Sequence, residues 1–149
     1  MLRRDYKGQN CSIARTLEIV GERWTLLIIR DVFLGLRRFD QLHESLGVAR
    51  NVLTDRLNRL VEEGILERAQ YHERPPRFEY RLTDKGRELN VALTALRQWG
   101  DQHLGEKPPR LLRRKADRKA VIAALVPRSA DVLRPDEVEL VPGPGLKTA

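Results

Sequence analysis

The chain has 149 residues, of which 41% are hydrophobic and 33% charged, a composition typical of a soluble globular fold rather than of extended disorder. Its formal net charge of +7 favours a polyanionic partner, because each Lys or Arg that neutralises a phosphate releases a condensed counterion. The single cysteine, Cys11, excludes both an internal disulfide and a thiolate zinc site within one chain.

Hydropathy argues against a membrane protein. The apolar run 26–29 is closed by Arg30, and no apolar run in the sequence approaches the roughly 18 residues that a spanning helix needs. The basic N-terminus is not followed by the apolar segment of a signal peptide. We therefore expect a cytoplasmic protein without a membrane partner.

Four helices are predicted in the first half of the chain, where apolar residues recur at helical spacing and glycines close the segments. The first runs over 12–20, with Ser12 as its N-cap, and the second over about 22–34. The second is apolar around much of its circumference, so it belongs in the middle of a core. The third covers 39–46, and a few residues later the fourth covers about 50–63.

The third helix, the short turn and the fourth helix form a helix-turn-helix pattern. On the fourth helix a stripe that includes Leu53, Leu57 and Leu60 is apolar, and polar side chains lie opposite. Such a polar face fits the major groove, where hydrogen-bonding groups distinguish all four base pairs. The residues predicted to contact bases are Arg50, Asn51, Thr54, Asp55 and Asn58. The residues predicted to contact the DNA backbone around them are Arg37, Arg38, Gln41, Arg56 and Arg59.

A β-hairpin is predicted after the fourth helix. Apolar and charged residues alternate strictly over Phe78–Leu82, and Ile65–Tyr71 is its expected antiparallel partner. The intervening loop, 72–77, is basic and stiffened by two prolines. Its side chains Arg74 and Arg77 are predicted to reach DNA as a wing, although a merely exposed tip has the same composition. The fold predicted is mainly α with a small antiparallel β-wing, a winged helix-turn-helix.

The remaining sequence predicts one long helix and an extension. Thr83 is expected to cap a fifth helix that continues to about His103. We divide the chain into a DNA-binding and dimerisation domain, 1–104, and a basic C-terminal extension, 105–149. The cluster 110–119 holds six Lys or Arg residues, which either add nonspecific DNA affinity or are simply solvated.

Within that extension, Val121–Val126 and Val132–Leu133 are expected to pair as a weak hairpin around a Pro-Arg-Ser turn. The Pro- and Gly-rich stretch 142–145 is expected to be frayed.

Several motifs, in the same order along the chain, resemble HxlR-type winged helix-turn-helix regulators of the MarR-like superfamily. The resemblance covers about residues 8–104. The motifs that carry it are 11–13 (CSI), 21–31 (GERWTLLIIRD), 38–39 (RF), 52–57 (VLTDRL), 63–66 (EGIL), 74–80 (RPPRFEY) and 82–86 (LTDKG).

The resemblance implies a homodimeric transcription factor that binds double-stranded DNA, more often a repressor, with the first and last helices packed between subunits. Some relatives carry paired cysteines after the last helix, whereas 117–133 has none here. We therefore assign no metal and no cofactor.

Cys11 has two interpretations. It directly precedes a helix N-terminus, where the macrodipole stabilises a thiolate, and the resemblance implies an oxidant sensor at this position. The alternative is a small packed residue in the dimer contact. Trp24 and Trp99 are interpreted as core or interface aromatics, but a small-molecule effector between the first, second and last helices stays open.

Three classes of function are therefore compared. The first is a sequence-specific regulator, and the second is an architectural or interaction module without base readout. An enzyme is the third, and the sequence argues against it. It shows no nucleophile–base set, no phosphate-binding loop of the G-x-x-x-x-G-K type and no paired carboxylates placed for a pocket.

Overall fold

The computed structural model describes residues 5–6, 8–105 and 107–146. The chain forms two compact units, an N-terminal unit up to Gly86 and a C-terminal unit from Arg87 onward. In the ranges described, no helix combines the length and the apolarity needed to cross a membrane. The division into a domain over 1–104 and an extension over 105–149 stays a prediction.

Four helices precede the hairpin of the N-terminal unit: α1 Ser12–Val20, α2 Thr25–Phe33, α3 Phe39–Leu46 and α4 Arg50–Glu62. Only three residues separate α3 from α4. The first of them, Gly47, has a left-handed backbone (φ 61°) and donates its N–H to the His43 carbonyl, which ends α3. This compact connection confirms the predicted helix-turn-helix.

Two helix starts differ from the sequence prediction. Cys11, with an extended backbone (φ −141°), occupies the N-cap position of α1, so Ser12 is already the first helical residue. The second helix begins at Thr25 rather than near Glu22, because Trp24 adopts a left-handed backbone (φ 79°) that a right-handed helix cannot contain.

The core of the N-terminal unit is formed by aliphatic side chains of α2, α3, α4 and the start of the hairpin. Its fully buried members, at 0–1% exposure, are Ile28, Ile29, Leu42, Leu53, Leu57, Leu60 and Leu66. The predicted inward stripe of α4 is therefore confirmed at its three leucines. Because these side chains are buried, the opposite side of the helix is left facing water.

The hairpin follows α4 and consists of β1 Leu66–His72 and β2 Arg77–Leu82, paired antiparallel with Leu66 opposite Leu82 and Gln70 opposite Phe78. At its base both facing leucines are buried, while the tip, 73–76, is exposed. The predicted strands and loop are thus confirmed to within one residue.

The predicted fifth helix is two helices, α5 Asp84–Arg87 and α6 Asn90–His103. Thr83 does cap the first, because its hydroxyl accepts a hydrogen bond from the Gly86 N–H at 3.0 Å. Gly86 is required for close packing, since a Cβ there would lie 2.2 Å from the carbonyl oxygen of Ile65. The interruption at 88–89 contains neither proline nor glycine. The helical spacing of apolar residues continues across it, so the sequence did not indicate a break.

The C-terminal unit contains a second small sheet, β3 Arg110–Arg114 paired antiparallel with β4 Val138–Pro142. The hairpin predicted between 121–126 and 132–133 is wrong, because neither segment forms a strand. The ladder instead matches apolar side chains of more distant segments, with Leu112 opposite Leu140.

The stretch 142–145 is hydrogen-bonded rather than frayed. Gly143 and Gly145 donate their N–H groups to the carbonyls of Pro109 and Pro108, at 2.9 and 3.0 Å. A Cβ on Gly143 would lie 2.2 Å from the Pro108 oxygen, so this approach of two backbones needs glycine.

Candidate nucleic-acid interface

The polar face of α4 consists of Arg50, Asn51, Thr54, Asp55 and Asn58, and all five side chains are exposed. The fully buried leucines on the opposite side fix the rotation of the helix. The structure therefore brings the five predicted base-contacting residues together on one accessible surface. Their amide, hydroxyl, carboxylate and guanidinium groups match the donors and acceptors on base edges.

Arg50 is held in place by α3. Its guanidinium forms an ion pair with Asp40 at 3.2 Å and lies 4.7 Å from the centre of the Phe39 ring. Because the ion-paired side chains are 64% and 85% exposed, the pair is weak and an acceptor on DNA can replace Asp40. The Thr54 hydroxyl donates to the Arg50 carbonyl at 2.9 Å, so its oxygen is left as an acceptor.

The two arginines farther along α4 have different surroundings. Arg56 is only 26% exposed and is engaged by the Glu22 carboxylate and the Arg23 carbonyl, so it fixes α4 to the turn before α2. Arg59 is about half exposed and pairs with Glu63 one turn away, at 2.8 Å. Of the two, Arg59 is better placed for a phosphate, whereas contact by Arg56 requires loss of an internal ion pair.

Arg37, Arg38 and Gln41 meet at the start of α3. The Gln41 side-chain oxygen accepts hydrogen bonds from the backbone N–H groups of both arginines, at 3.1 and 3.0 Å. The same segment contacts the hairpin, because the Arg37 carbonyl accepts from the Tyr80 N–H at 2.7 Å and the Arg38 guanidinium stacks 4.6 Å over the Tyr71 ring. All three predicted backbone-contacting side chains are exposed there.

The wing arginines Arg74 and Arg77 are exposed at the hairpin tip. Neither has an ion-pair partner among the residues that the structure describes, so both charges are available to phosphates. The His72 ring contacts the Pro75 carbonyl at 3.0 Å and thereby closes the tip.

Glu79 is an acidic residue of β2, opposite Ala69 in the hairpin. A hydrogen bond from Arg81 lowers the pKa of Glu79, and the charges of Arg81, Arg37 and Arg38 act in the same direction against a smaller desolvation effect. The carboxylate thus stays ionised and offsets part of the positive charge at the wing base.

Asp31 is a residue that periodicity did not identify. Its side chain is 2% exposed, pairs with Arg30 at 2.7 Å and accepts a hydrogen bond from the Ser45 hydroxyl, also at 2.7 Å. These bonds join α2 to α3 and so set the position of the helix-turn-helix. A polar residue inside an apolar helix was the available signal, since such a residue needs a buried partner.

Two helices expose apolar side chains. On α1, Ile13 is 70% exposed and Leu17 38% exposed. The apolar face of α6 consists of Val91, Ala92, Ala95, Leu96 and Trp99, and all five of these residues are exposed. Cys11, at the N-cap of α1, is partly exposed and its thiol is free.

The basic cluster 110–119 is largely paired. Arg114 binds Asp117 and lowers the pKa of that carboxyl well below its usual range, while Arg118 binds Glu139. Arg113 donates to the Arg118 carbonyl at 2.9 Å. The cluster therefore stabilises its own turn, and less of its charge is left for DNA than the sequence indicates.

A tight helix-turn-helix with an outward polar face and an adjacent basic hairpin defines a winged helix-turn-helix, DNA-binding transcriptional regulator. Residues 19–108 match the HxlR-like helix-turn-helix family, and the chain belongs to that family.

Relatives extend the match beyond this region. The uncharacterized HTH-type transcriptional regulator Rv3095 of Mycobacterium tuberculosis is 45% identical over 91% of this chain and 88% of its own length. The crystal structure of PA1607 superposes with a TM-score of 0.71 at 40% identity and covers 83% of this chain and 87% of that one. The reduced form of the redox regulator HypR superposes at 0.59 and 29% identity, over 62% of this chain and 92% of that one.

Proposed function

We propose that this regulator acts in the cytoplasm as a homodimer and represses transcription by binding an operator with two-fold symmetry. Two copies of α4 would enter successive major grooves, about one helical turn apart. The single observation that carries the proposal is the polar face of α4, exposed as a whole and backed by three buried leucines.

Base readout and backbone contact are assigned to different side chains. We assign base contacts to Arg50, Asn51, Thr54, Asp55 and Asn58, because side chains of these types pair with the edges of guanine, adenine and cytosine. The exposed cations around them, with Gln41, are assigned to phosphates, which position the protein without reading sequence. These are Arg37, Arg38, Arg59, Arg74 and Arg77, and Arg56 joins them only if its pair with Glu22 opens.

The homodimer is supported by the exposed apolar side chains of α1 and of the apolar face of α6. Side chains such as Ile13 and Trp99 gain free energy when a second copy removes them from water.

Selection of bound duplexes from a random pool tests the proposal. We expect an enriched inverted repeat, and we expect scrambled duplex to compete at least about a thousandfold less well than the selected operator. An architectural protein without base readout would bind both duplexes equally. Equal binding would contradict a sequence-specific regulator and support an architectural protein.

A thiol response is a separate part of the proposal. Cys11 is partly exposed at the N-cap of α1, two residues before the exposed Ile13. Oxidation of two such thiols to a disulfide between subunits would change the dimer geometry and so the half-site spacing. Operator affinity is measured before and after diamide, with Cys11→Ser as the control; an affinity unchanged by diamide assigns Cys11 to packing alone.

A further inference from the structure

A cavity of about 380 Å³ lies within the C-terminal unit, bounded by α6, β3 and the segment 120–122. Its size falls in the range of small-molecule sites. Much of its wall is aliphatic, contributed by Pro108, Leu111, Leu112, Val121 and Ile122. The Gln98 side chain fixes the outer segment, since it exchanges two hydrogen bonds with the backbone of Ala123 at 3.0 and 3.1 Å.

The charged groups of the cavity are unbalanced. Among the described residues, three arginines line it, Arg97, Arg110 and Arg113, against the single acidic residue Asp101. Such an excess of positive charge over aliphatic walls favours an anion with an apolar body and disfavours an amine.

Arg97 supplies the more specific observation. Its Nη1 atom is buried and has no hydrogen-bond partner within the described part of the chain. Desolvation lowers the pKa of Arg97, while the Asp101 charge acts in the opposite direction. A buried N–H left without an acceptor is costly, and a carboxylate beside this guanidinium would offset that cost through charge-assisted hydrogen bonds.

We propose that this cavity binds a small organic carboxylate, with the carboxylate paired to Arg97 and an alkyl body against the aliphatic wall. Arg110 and Arg113 add attraction at longer range. The branched aliphatic lining, without an aromatic ring among the described lining residues, fits an alkyl chain. This site is independent of the proposed DNA-binding function.

Calorimetric titration of the full chain with hexanoate tests the proposal. We expect hexanoate to bind at least about tenfold more tightly than 1-hexanol, which lacks the charge, or inorganic phosphate, which lacks the alkyl chain. Arg97→Gln should weaken hexanoate binding at least about tenfold. Arg128→Gln removes the same charge outside the cavity and should leave the affinity unchanged.

Hydrogen exchange on the unsubstituted chain provides a readout that needs no variant. Hexanoate should slow exchange in peptides covering 97–102, 110–113 and 120–122. The proposal is overturned if hexanoate does not bind, if 1-hexanol or phosphate binds as tightly, if Arg97→Gln binds as well as the unsubstituted chain, or if the protected peptides lie elsewhere.

Discussion

The helices α4 and α6 are nearly equal in length, 13 and 14 residues, yet they expose opposite kinds of surface. α4 buries its leucines completely and turns a polar face to water. α6 exposes Trp99 to 57% and Val91 to 67%, while its polar Thr94 is buried. The first arrangement is that of an ordinary surface helix, and the second is its reverse.

The difference separates two kinds of partner. A polar face such as that of α4 is already satisfied by water, so a ligand must offer hydrogen bonds and charge in return. An apolar face such as that of α6 is unfavourable in water and gains free energy when protein covers it. We therefore propose α4 for contact with DNA and α6 for contact with a second copy of the chain.

The largest effect is expected on the inner side of α4. Leu57→Ala should lower the free energy of unfolding by about 2–5 kcal/mol, because it leaves a cavity in a fully buried core. Asn58→Ala, one residue away on the polar face, should change it by less than about 0.5 kcal/mol. Urea denaturation measures the free energy of unfolding of both variants. Equal losses would mean that the polar face of α4 contributes as much to stability as its buried face.

A smaller effect is expected from the apolar face of α6. Trp99→Ala should weaken dimer association by about 2 kcal/mol, roughly 30-fold in the dissociation constant, because a large aromatic is lost from the interface. Sedimentation equilibrium measures the change, with Arg128→Ala as the control outside that face. A dissociation constant that Trp99→Ala leaves unaltered would exclude this face from the dimer.

The wing should contribute affinity without discrimination. Arg74→Ala should weaken binding to selected and scrambled duplexes equally and reduce the salt slope by about 1, because one phosphate contact is lost. Arg81→Ala is the matched control, since that guanidinium already pairs with Glu79. A loss confined to the selected operator would instead place Arg74 among the base-reading residues.

The smallest effect concerns the turn of the C-terminal unit. The hydrogen bond from Arg114 lowers the pKa of Asp117 below its usual 3.8, so this carboxylate stabilises the fold above that pH. The contribution disappears as the pH falls through the lower folded-state pKa. Asp117→Asn should abolish this acid dependence and remove the stabilisation at neutral pH, so hydrogen exchange of 114–119 should be faster in the variant at neutral pH and approach that of the unsubstituted chain in acid. A pH profile identical in the two proteins would show that the pair contributes nothing.

Periodicity predicted the parts of the fold that depend on local pattern. The helix-turn-helix, the wing strands and the inward leucines of α4 all follow from spacing that a single helix or hairpin imposes. What it missed depends on contacts between distant residues, as in the pairing of Leu112 with Leu140 and the buried Asp31–Ser45 bond. The left-handed backbone of Trp24 was likewise not predicted, because the residue at this position is not a glycine.

The candidate site shows the same limit. Sequence identified which side of α4 faces outward, but it did not show that Asp40 holds Arg50 or that Glu22 holds Arg56. The first ion pair joins α3 to α4, and the second joins the turn before α2 to α4. Partners of this kind decide which cations are available to DNA.

The most direct test of base readout by α4 is selection of bound duplexes with Asn51→Ala in parallel with the unsubstituted protein. The account predicts that one base position in each half-site loses its preference, by about 1–3 kcal/mol of discrimination, while the remaining positions keep theirs. A variant that selects the same operator with undiminished preference at every position would contradict it.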